Sequence, residues 1–560
     1  MPFIISYTFF TLIVLIVMNV FLVRKKNWHT KKEEALDKEV PVGKVLFVLM
    51  FGMFIAILNQ TILNVALPVM MTDLNVNATT AQWLMTGFML ANGILIPISA
   101  FLVENFGFRK LFITAMISFT IGSLVCAVSA TFPLVMIGRI IQAIGAGILM
   151  PLGMNIFLTV FPPEKRGTAM GTMGIAMILA PAIGPTLSGW VVQNYDWHFL
   201  FYAMALIGLI DIFFAFAWFR LEKELTRPTF DIQGIVYSSI GFGGILYGFS
   251  EAGSKGWSSA EVIISLMVGV VFLIFFAVRQ LNVEKPLLEL RVFKYNLFTF
   301  TLIINSIVTM ALFGGMLLLP IYLQNIRGFT PIESGLLLLP GAMIMGLMGP
   351  IAGKIFDRYG VRGLAIVGLA ITTYGTYEFT QLTADTPYTT LLGIYMLRSF
   401  GMSLIMMPIM TAGMNQLPLK MISHGTAMSN TIRQVAGSIG TALLVTVMTQ
   451  QSTNHLSDYT NLVSKTDPML MNQLQALGSS MAQSAGLSAH AGQTIGAQAL
   501  LGQALQQSTI EGINDAFYIA TVLAFIALVL SFFLKTPKKT LQESSFEAAK
   551  VKTEASSQEL

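Results

Sequence analysis

Three arginines, Arg139, Arg398 and Arg433, stand inside long apolar runs. On a helix Arg139, Gln142, Ala146 and Met150 share one face, which sets a guanidinium and an amide above small residues that open space. Arg433 lies a short way into its run beside Asn430, Gln434, Gly437 and Gly440, while the neighbours of Arg398 are less polar. A charge near the bilayer centre costs at least ~2.5–3.5 kcal/mol on insertion scales, so each needs a cavity, a partner or a functional reason. A structural salt bridge would answer for Arg139, and snorkelling to the interface would answer for Arg433. Three carboxyls have similar placements: Asp211 and Glu378 within apolar runs, and Glu251 near the outer end of another. An acid stripped of water can bind and release protons near neutral pH, and a hydrogen-bonded structural acid is the alternative. Asn59, Gln60 and Asn64 in LNQTILNVALP form a polar stripe suited to holding a substrate, and Trp83 in QWLMTGFML adds an aromatic face.

Covalent and metal chemistry find no support. The five histidines, His29, His198, His424, His455 and His490, lack metal-ligand spacing, and no G-x-x-x-x-G-K-[ST] loop is present for a built-in ATP motor. The single cysteine, Cys126, sits in an apolar run as a small hydrophobe. The chain is therefore expected to be no enzyme, to hold no cofactor and no metal, and to draw on an ion gradient.

The elements that must position these residues follow from composition. Of 560 residues, 55% are hydrophobic and 11% charged, against roughly 25% charged in soluble domains. The mean hydropathy is +0.72. Only the lipid bilayer can absorb that much apolar surface. The net charge of +5 is small and argues against nucleic acid as a partner. Apolar runs near the ~20 residues of a bilayer span fall near 3–23, 44–71, 81–103, 111–130, 133–160, 168–193, 198–219, 232–250, 262–281, 297–323, 335–356, 363–382, 390–415, 426–450 and 513–534.

Basic residues fix the sides, because Lys and Arg collect in cytoplasmic loops. With the loop from Arg24 to Lys44 inside and sides alternating, only Lys255, Arg327 and Lys465 fall outside, and Arg139, Arg398 and Arg433 fall in spans. The other 27 of 33 are inside or in the C-terminal tail. Missing one internal helix would destroy that asymmetry, so fourteen spans are expected from residue 44 onward, with the C-terminus cytoplasmic. The run Phe3–Val23 has Arg24, Lys25 and Lys26 after it and no basic residue before it, the reverse of a cleavable signal. It reads as an accessory anchor, or as an extension bypassed by starting at Met18. Gln451–Gly512 reads as a long external loop, either a cap with short amphipathic helices or a solvated loop. Residues 535–560 read as a disordered tail.

Two loops repeat across the chain on the same side. AFLVENFGFRK carries Glu104, Gly107 and Arg109, and GKIFDRYGVR carries Gly353, Asp357, Arg358 and Gly360. Gly353 permits close helix approach, Asp357 can face a helix N-terminus or an arginine, and Gly360 makes a tight turn. The pattern resembles the loop signature of the major facilitator superfamily, with Ala100, Glu104 and Asn105 departing from it in the first copy. MGIAMILAPAIGPTLSGW, with Gly184, Pro185 and Gly189, is similar to the antiporter signature of that superfamily's fifth helix. Together with LNQTILNVALP, QWLMTGFML, the Arg139 motif and HGTAMSNTIRQVAGSIGTA, the chain resembles the fourteen-helix drug:proton antiporters (EmrB/QacA type), most closely their lincomycin-resistance-like branch.

That resemblance implies an all-α polytopic fold of two six-helix halves, 44–219 and 297–534, with two inserted helices within 220–296 and an N-terminal segment 1–43. It implies alternating access, export of small amphipathic substrates such as lincosamides or cationic dyes, and protons entering in exchange, in a bacterial plasma membrane. In that family the arginine matching Arg139 sits at the central cavity and is implicated in proton coupling. An embedded acid commonly stands where this chain has Asn59, which cannot titrate, so Asp211, Glu251 and Glu378 become the candidate proton carriers. An exporter of a lipid or envelope precursor is the alternative reading, and a non-transporting receptor a more remote one.

Overall fold

A computed structural model describes residues 42–76, 78–221, 231–283, 286–462, 476 and 489–534. The anchor expected at 3–23, the tail 535–560 and the middle of the segment 451–512 lie outside the described residues. Among the described residues thirteen α-helices carry the fold: α1 Val42–Asp73, α2 Ala78–Ala127, α3 Phe132–Val160, α4 Arg166–Asn194, α5 His198–Trp218, α6 Ile232–Lys255, α7 Ala260–Asn282, α8 Asn296–Ile321, α9 Pro331–Tyr359, α10 Val361–Glu378, α11 Tyr388–Met414, α12 Ile422–Leu462 and α13 Ala489–Ser531. No strand occurs among the described residues.

Helix α2 contains two spans. Its 50 residues include Gly107 at φ 73° and ψ 174°, a backbone conformation that only glycine adopts readily. Gly87 and Gly122 would lie ~50 Å apart on one straight helix. Yet Gly87 packs on Met136 and Gly122 on Gln142 of α3. The chain therefore folds back at Gly107, and α2 supplies two antiparallel crossings. Gly360, at φ 81°, makes the equivalent break between α9 and α10. The helices thus provide fourteen crossings from Val42 onward, at the places hydropathy set.

Start signals are local. Pro133 sits in the first turn of α3, and Thr330 and Glu333 form a reciprocal capping box at α9. The aromatics Phe112, Phe119, Phe157 and Phe201 fill the core between α2, α3, α4 and α5. Leu206, Phe213 and Phe216 on α5, and Ile264, Met267 and Ile274 on α7, are exposed on the outer surface, as helices bathed in lipid require.

Helices α6 and α7 pack closely through Gly241, Gly244 and Gly269; a Cβ on Gly244 would lie 2.8 Å from the Ser265 carbonyl. They also bridge: Gly243 of α6 abuts Ile94 of α2, and Trp257 donates to Thr446 of α12 at 2.8 Å. One sequence expectation is corrected. The segment 451–512 is not a loop throughout, because α12 continues unbroken to Leu462 and α13 begins at Ala489. His455 on one extension faces Glu511 (3.3 Å) and Asp515 (2.8 Å) on the other, so polar side chains carry the hairpin outward where the apolar run stops.

Candidate functional site

Glycines on α3 admit the second segment of α2 to backbone contact: a Cβ on Gly138 would lie 2.9 Å from the Cys126 nitrogen. This close packing buries Arg139 to 1% exposure. Its Nε donates to the Leu84 carbonyl at 3.2 Å, and a terminal nitrogen donates to Gln142 Oε1 at 2.9 Å. The guanidinium also lies 4.1 Å from the Phe88 ring centre, a contact worth about 2 kcal/mol when desolvated. Gln142 Nε2 donates to Ser123 Oγ at 2.7 Å, and Gln142 and the fully buried Asn59 exchange amide contacts at 3.3 and 3.4 Å. No carboxylate pairs with Arg139 among the described residues. The cluster joins α1, α2 and α3 through one cation and neutral polar groups, so the salt-bridge alternative does not describe it.

The second half holds a counterpart. Arg398 of α11 is buried and donates to Thr376 Oγ1 at 3.2 Å and to the Ala311 carbonyl at 3.4 Å. Gly315 makes room for it, since a Cβ there would lie 2.8 Å from the guanidinium. Arg433 is half-buried where α12 meets α3, 3.7 Å from Met150 Sδ, and donates to Asn430 Oδ1 at 3.0 Å. Asn430 in turn contacts Met154 Sδ at 3.1 Å. Gln434 of α12 packs against Gly93 of α2. Residues 430–434 therefore line the seam between the halves, as the sequence placed them near one another.

The other sequence candidates separate. Gln60 is half-buried on α1, and Asn64 lies on the same helix. Trp83 is exposed near the start of α2 and stacks on Tyr247 of α6, with ring centres 5.8 Å apart, so it joins the inserted helices rather than the arginine cluster. Among the carboxyls, Glu251 pairs with Lys255 at 3.2 Å. Outside the spans, hydrogen bonds to Glu261 and Glu251 raise the Lys255 ammonium above its ordinary pKa. Glu378 ends α10 beside Tyr374. Asp211 alone is fully buried, and neither of its oxygens has a hydrogen-bond partner.

The conformational motifs assemble at one end of the helix bundle. Asp357 faces the N-terminus of α4, as one of the two sequence expectations had it: it accepts from Gly167 N at 2.8 Å, Thr168 N at 2.9 Å and Thr168 Oγ1 at 2.6 Å. Gly353 and Gly349 of α9 meet Gly167 and Gly171 of α4 so closely that a Cβ on Gly349 would lie 2.7 Å from the Gly171 carbonyl. Arg358 lies over Tyr359 at 5.3 Å. In the first half, Arg109 donates to the Phe216 carbonyl at 3.2 Å. Glu104 reaches His424 of α12 at 3.2 Å, and the other His424 nitrogen accepts from Glu289 N.

Asn155 donates to Ser423 at 2.7 Å and Arg166 to Asn415 at 3.1 Å, which adds two further bolts between the halves. Further along α4, Gly184 of the antiporter-like motif seats on Thr61 of α1, Gly189 meets Ile332 of α9, and Pro185 approaches Gly335. Ser123, Phe88, Asn155, Ser423, Asn415 and His424 were missed from sequence. Single hydroxyls, amides and rings in apolar runs are too common to stand out.

The match to known proteins agrees with this architecture. The family model described as Major Facilitator Superfamily matches residues 49–441. The chain belongs to the major facilitator superfamily. A Bacillus subtilis transporter of the same type, YhcA, is 50% identical over 88% of this chain and 93% of its own length. The lincomycin resistance protein LmrB of Bacillus subtilis is 38% identical over 90% of this chain and 98% of its own. The multidrug export protein EmrB of Escherichia coli is 29% identical over 86% and 93%. Among solved structures, the human organic anion transporter MFSD10 superposes with TM-score 0.59 at 11% identity, covering 88% of this chain and all of that one. The chain is thus a multi-pass membrane protein of a transporter family, on the branch that includes LmrB and EmrB.

Proposed function

We propose that this chain exports amphipathic small molecules, lincosamides or cationic dyes among them, from a bacterial cell by alternating access, with protons entering in exchange. The carrying observation is the Arg139 cluster: a buried guanidinium held by neutral groups among the described residues, joining α1, α2 and α3. A cation placed in the membrane at such cost, with no counter-ion, suits a site that responds to a charge arriving and leaving. The bolts at Asp357, Asn155, Arg166 and Glu104 hold the cytoplasmic side shut and are the contacts that inward opening must break. Near full-length similarity to LmrB and EmrB supports the substrate class. The C-terminus, by the same reading, lies in the cytoplasm, and the proton gradient is the driver in place of any cofactor.

The test is transport in proteoliposomes under an imposed pH gradient, with lincomycin and a cationic dye as probes and internal pH followed in parallel. Movement of either probe that rises with the gradient, accompanied by proton flux, is the expected result. Folded protein that moves neither probe refutes drug export and favours the lipid exporter. For that second reading the specific observation is a shallow, mostly apolar groove of about 570 Å³ between α6 and α7, lined by Ile240, Gly243, Tyr247, Glu261, Ile264 and Val268.

A further inference from the structure

Asp211 is an anomaly. It lies on the inward face of α5 at 0% exposure, against Gly52 of α1 and Phe112 and Met116 of α2. Neither carboxyl oxygen has a partner. A carboxylate left ionised and unpaired in such surroundings costs far more than taking up a proton, so this packing accommodates the neutral acid. Even then its O–H has no acceptor, a penalty of a kind that persists where a second conformation relieves it.

A second orphan lies close by. Thr120 of α2 is buried, its hydroxyl has no partner, and a Cβ on Gly208, one turn before Asp211 on α5, would nearly touch that hydroxyl. Ser123, next on the same face of α2, accepts from Gln142 of the Arg139 cluster. Two unsatisfied groups, Thr120 and Asp211, thus share the α2–α5 seam, and Ser123, whose hydroxyl also donates to the Phe119 carbonyl at 2.8 Å, joins that seam to the cluster. The charged side chains of the helices packed there lie toward helix ends or at the α2 break: Lys44 and Asp73 of α1, Glu104, Arg109 and Lys110 flanking Gly107 of α2, and His198 of α5. Lys44 is held over Trp218, Asp73 by Trp197, and Arg109 at the Phe216 carbonyl.

We infer that Asp211 is the proton-binding group of the exporter, reached from the Arg139 cluster by way of Ser123 and Thr120. This rests on the proton-coupled reading above and supplies the titratable group that Asn59 cannot be. A proton arriving from the outer side adds to the carboxylate oxygen, and α1 seats on the neutral acid at Gly52. When the seam at Gly52 parts and water enters from the cytoplasmic side, the same proton leaves to water and the carboxylate is restored. Because α1 also carries Asn59, seating and unseating at Gly52 moves the substrate-side cluster with it.

The experiment uses the full chain in proteoliposomes with lincomycin as probe, comparing wild type, Asp211→Asn and Asp211→Glu. Asparagine copies the neutral acid, so Asp211→Asn is expected to lose gradient-driven accumulation by about tenfold or more while lincomycin-for-lincomycin exchange persists. Asp211→Glu restores part of the driven flux. Infrared difference spectra of the wild type at neutral pH are expected to show a protonated-carboxyl band that Asp211→Asn lacks. A wild type that moves lincomycin without gradient dependence refutes proton coupling itself. A coupled wild type with Asp211→Asn equally coupled, or with the carboxyl band unchanged by the substitution, overturns the assignment of Asp211 alone.

Discussion

Asparagine at Asp357 should release the cytoplasmic bolt by an amount the geometry sets. The carboxylate accepts three hydrogen bonds at the N-terminus of α4, at 2.6–2.9 Å, and all three cross from one half to the other. An amide keeps one acceptor oxygen, turns an NH2 toward donors and removes the charge that complements the helix dipole. Losing one charge-assisted bond and leaving a donor unmet costs about 2 kcal/mol. That is roughly thirtyfold in the equilibrium between closed and open cytoplasmic sides. A cytoplasm-open state present at about 1% would rise to about a quarter. Spin labels at Lys110→Cys on the first half and Lys420→Cys on the second, both exposed, the one beside Gly107 and the other before α12, report the change. With Cys126→Ala as background, double electron–electron resonance should show one short distance for Asp357 and a second, longer population for Asp357→Asn. An unchanged distance distribution in a folded, monodisperse Asp357→Asn protein would refute the reasoning.

Other outcomes follow from single residues. Gly107→Ala forces an L side chain into a glycine-only conformation at a cost of about 1–3 kcal/mol, so the detergent-solubilised protein should melt lower. Gly363→Ala, where a Cβ meets nothing, should not lower the melting temperature. Arg139→Lys cannot reach both the Leu84 carbonyl and Gln142, so driven export should fall about tenfold at unchanged expression, which transport assays and immunoblots check together. Asp231, before α6, is desolvated, but Gly234 N, Arg279 and Gln280 outweigh that and hold its carboxyl below the usual carboxylate range. A depressed folded value contributes stability above ~4 and loses it as pH falls further. Thermal melts should therefore show Asp231→Asn less stable than wild type at pH ~7, with the difference closing below pH ~4.

Some of the site was legible because its cause is local. Asp357 and Gly360 were readable because an acid near a helix end and a glycine in a tight turn have few physical uses. Glu251 and Lys255 stand four apart on one helix, so their pairing was available to an i,i+4 reading. His424 meeting Glu104, and Asn155 meeting Ser423, were not readable, since each joins residues far apart in the chain through the docking of whole helices. The extension of α12 to Leu462 escaped because its outward residues are polar, and hydropathy registers lipid rather than helix.

By itself the sequence determined the apolar spans, the breaks at Gly107 and Gly360 and the family. The bilayer imposes length and apolarity on each span separately, and basic loops declare their side without reference to any neighbour. Only the tertiary structure decided which embedded charges have partners. Arg139, Arg398 and Asp211 look alike as polar letters in apolar runs. Whether each meets a carbonyl, an amide or nothing depends on how closely glycine-lined helices approach, and that is a property of packed pairs rather than of any one segment.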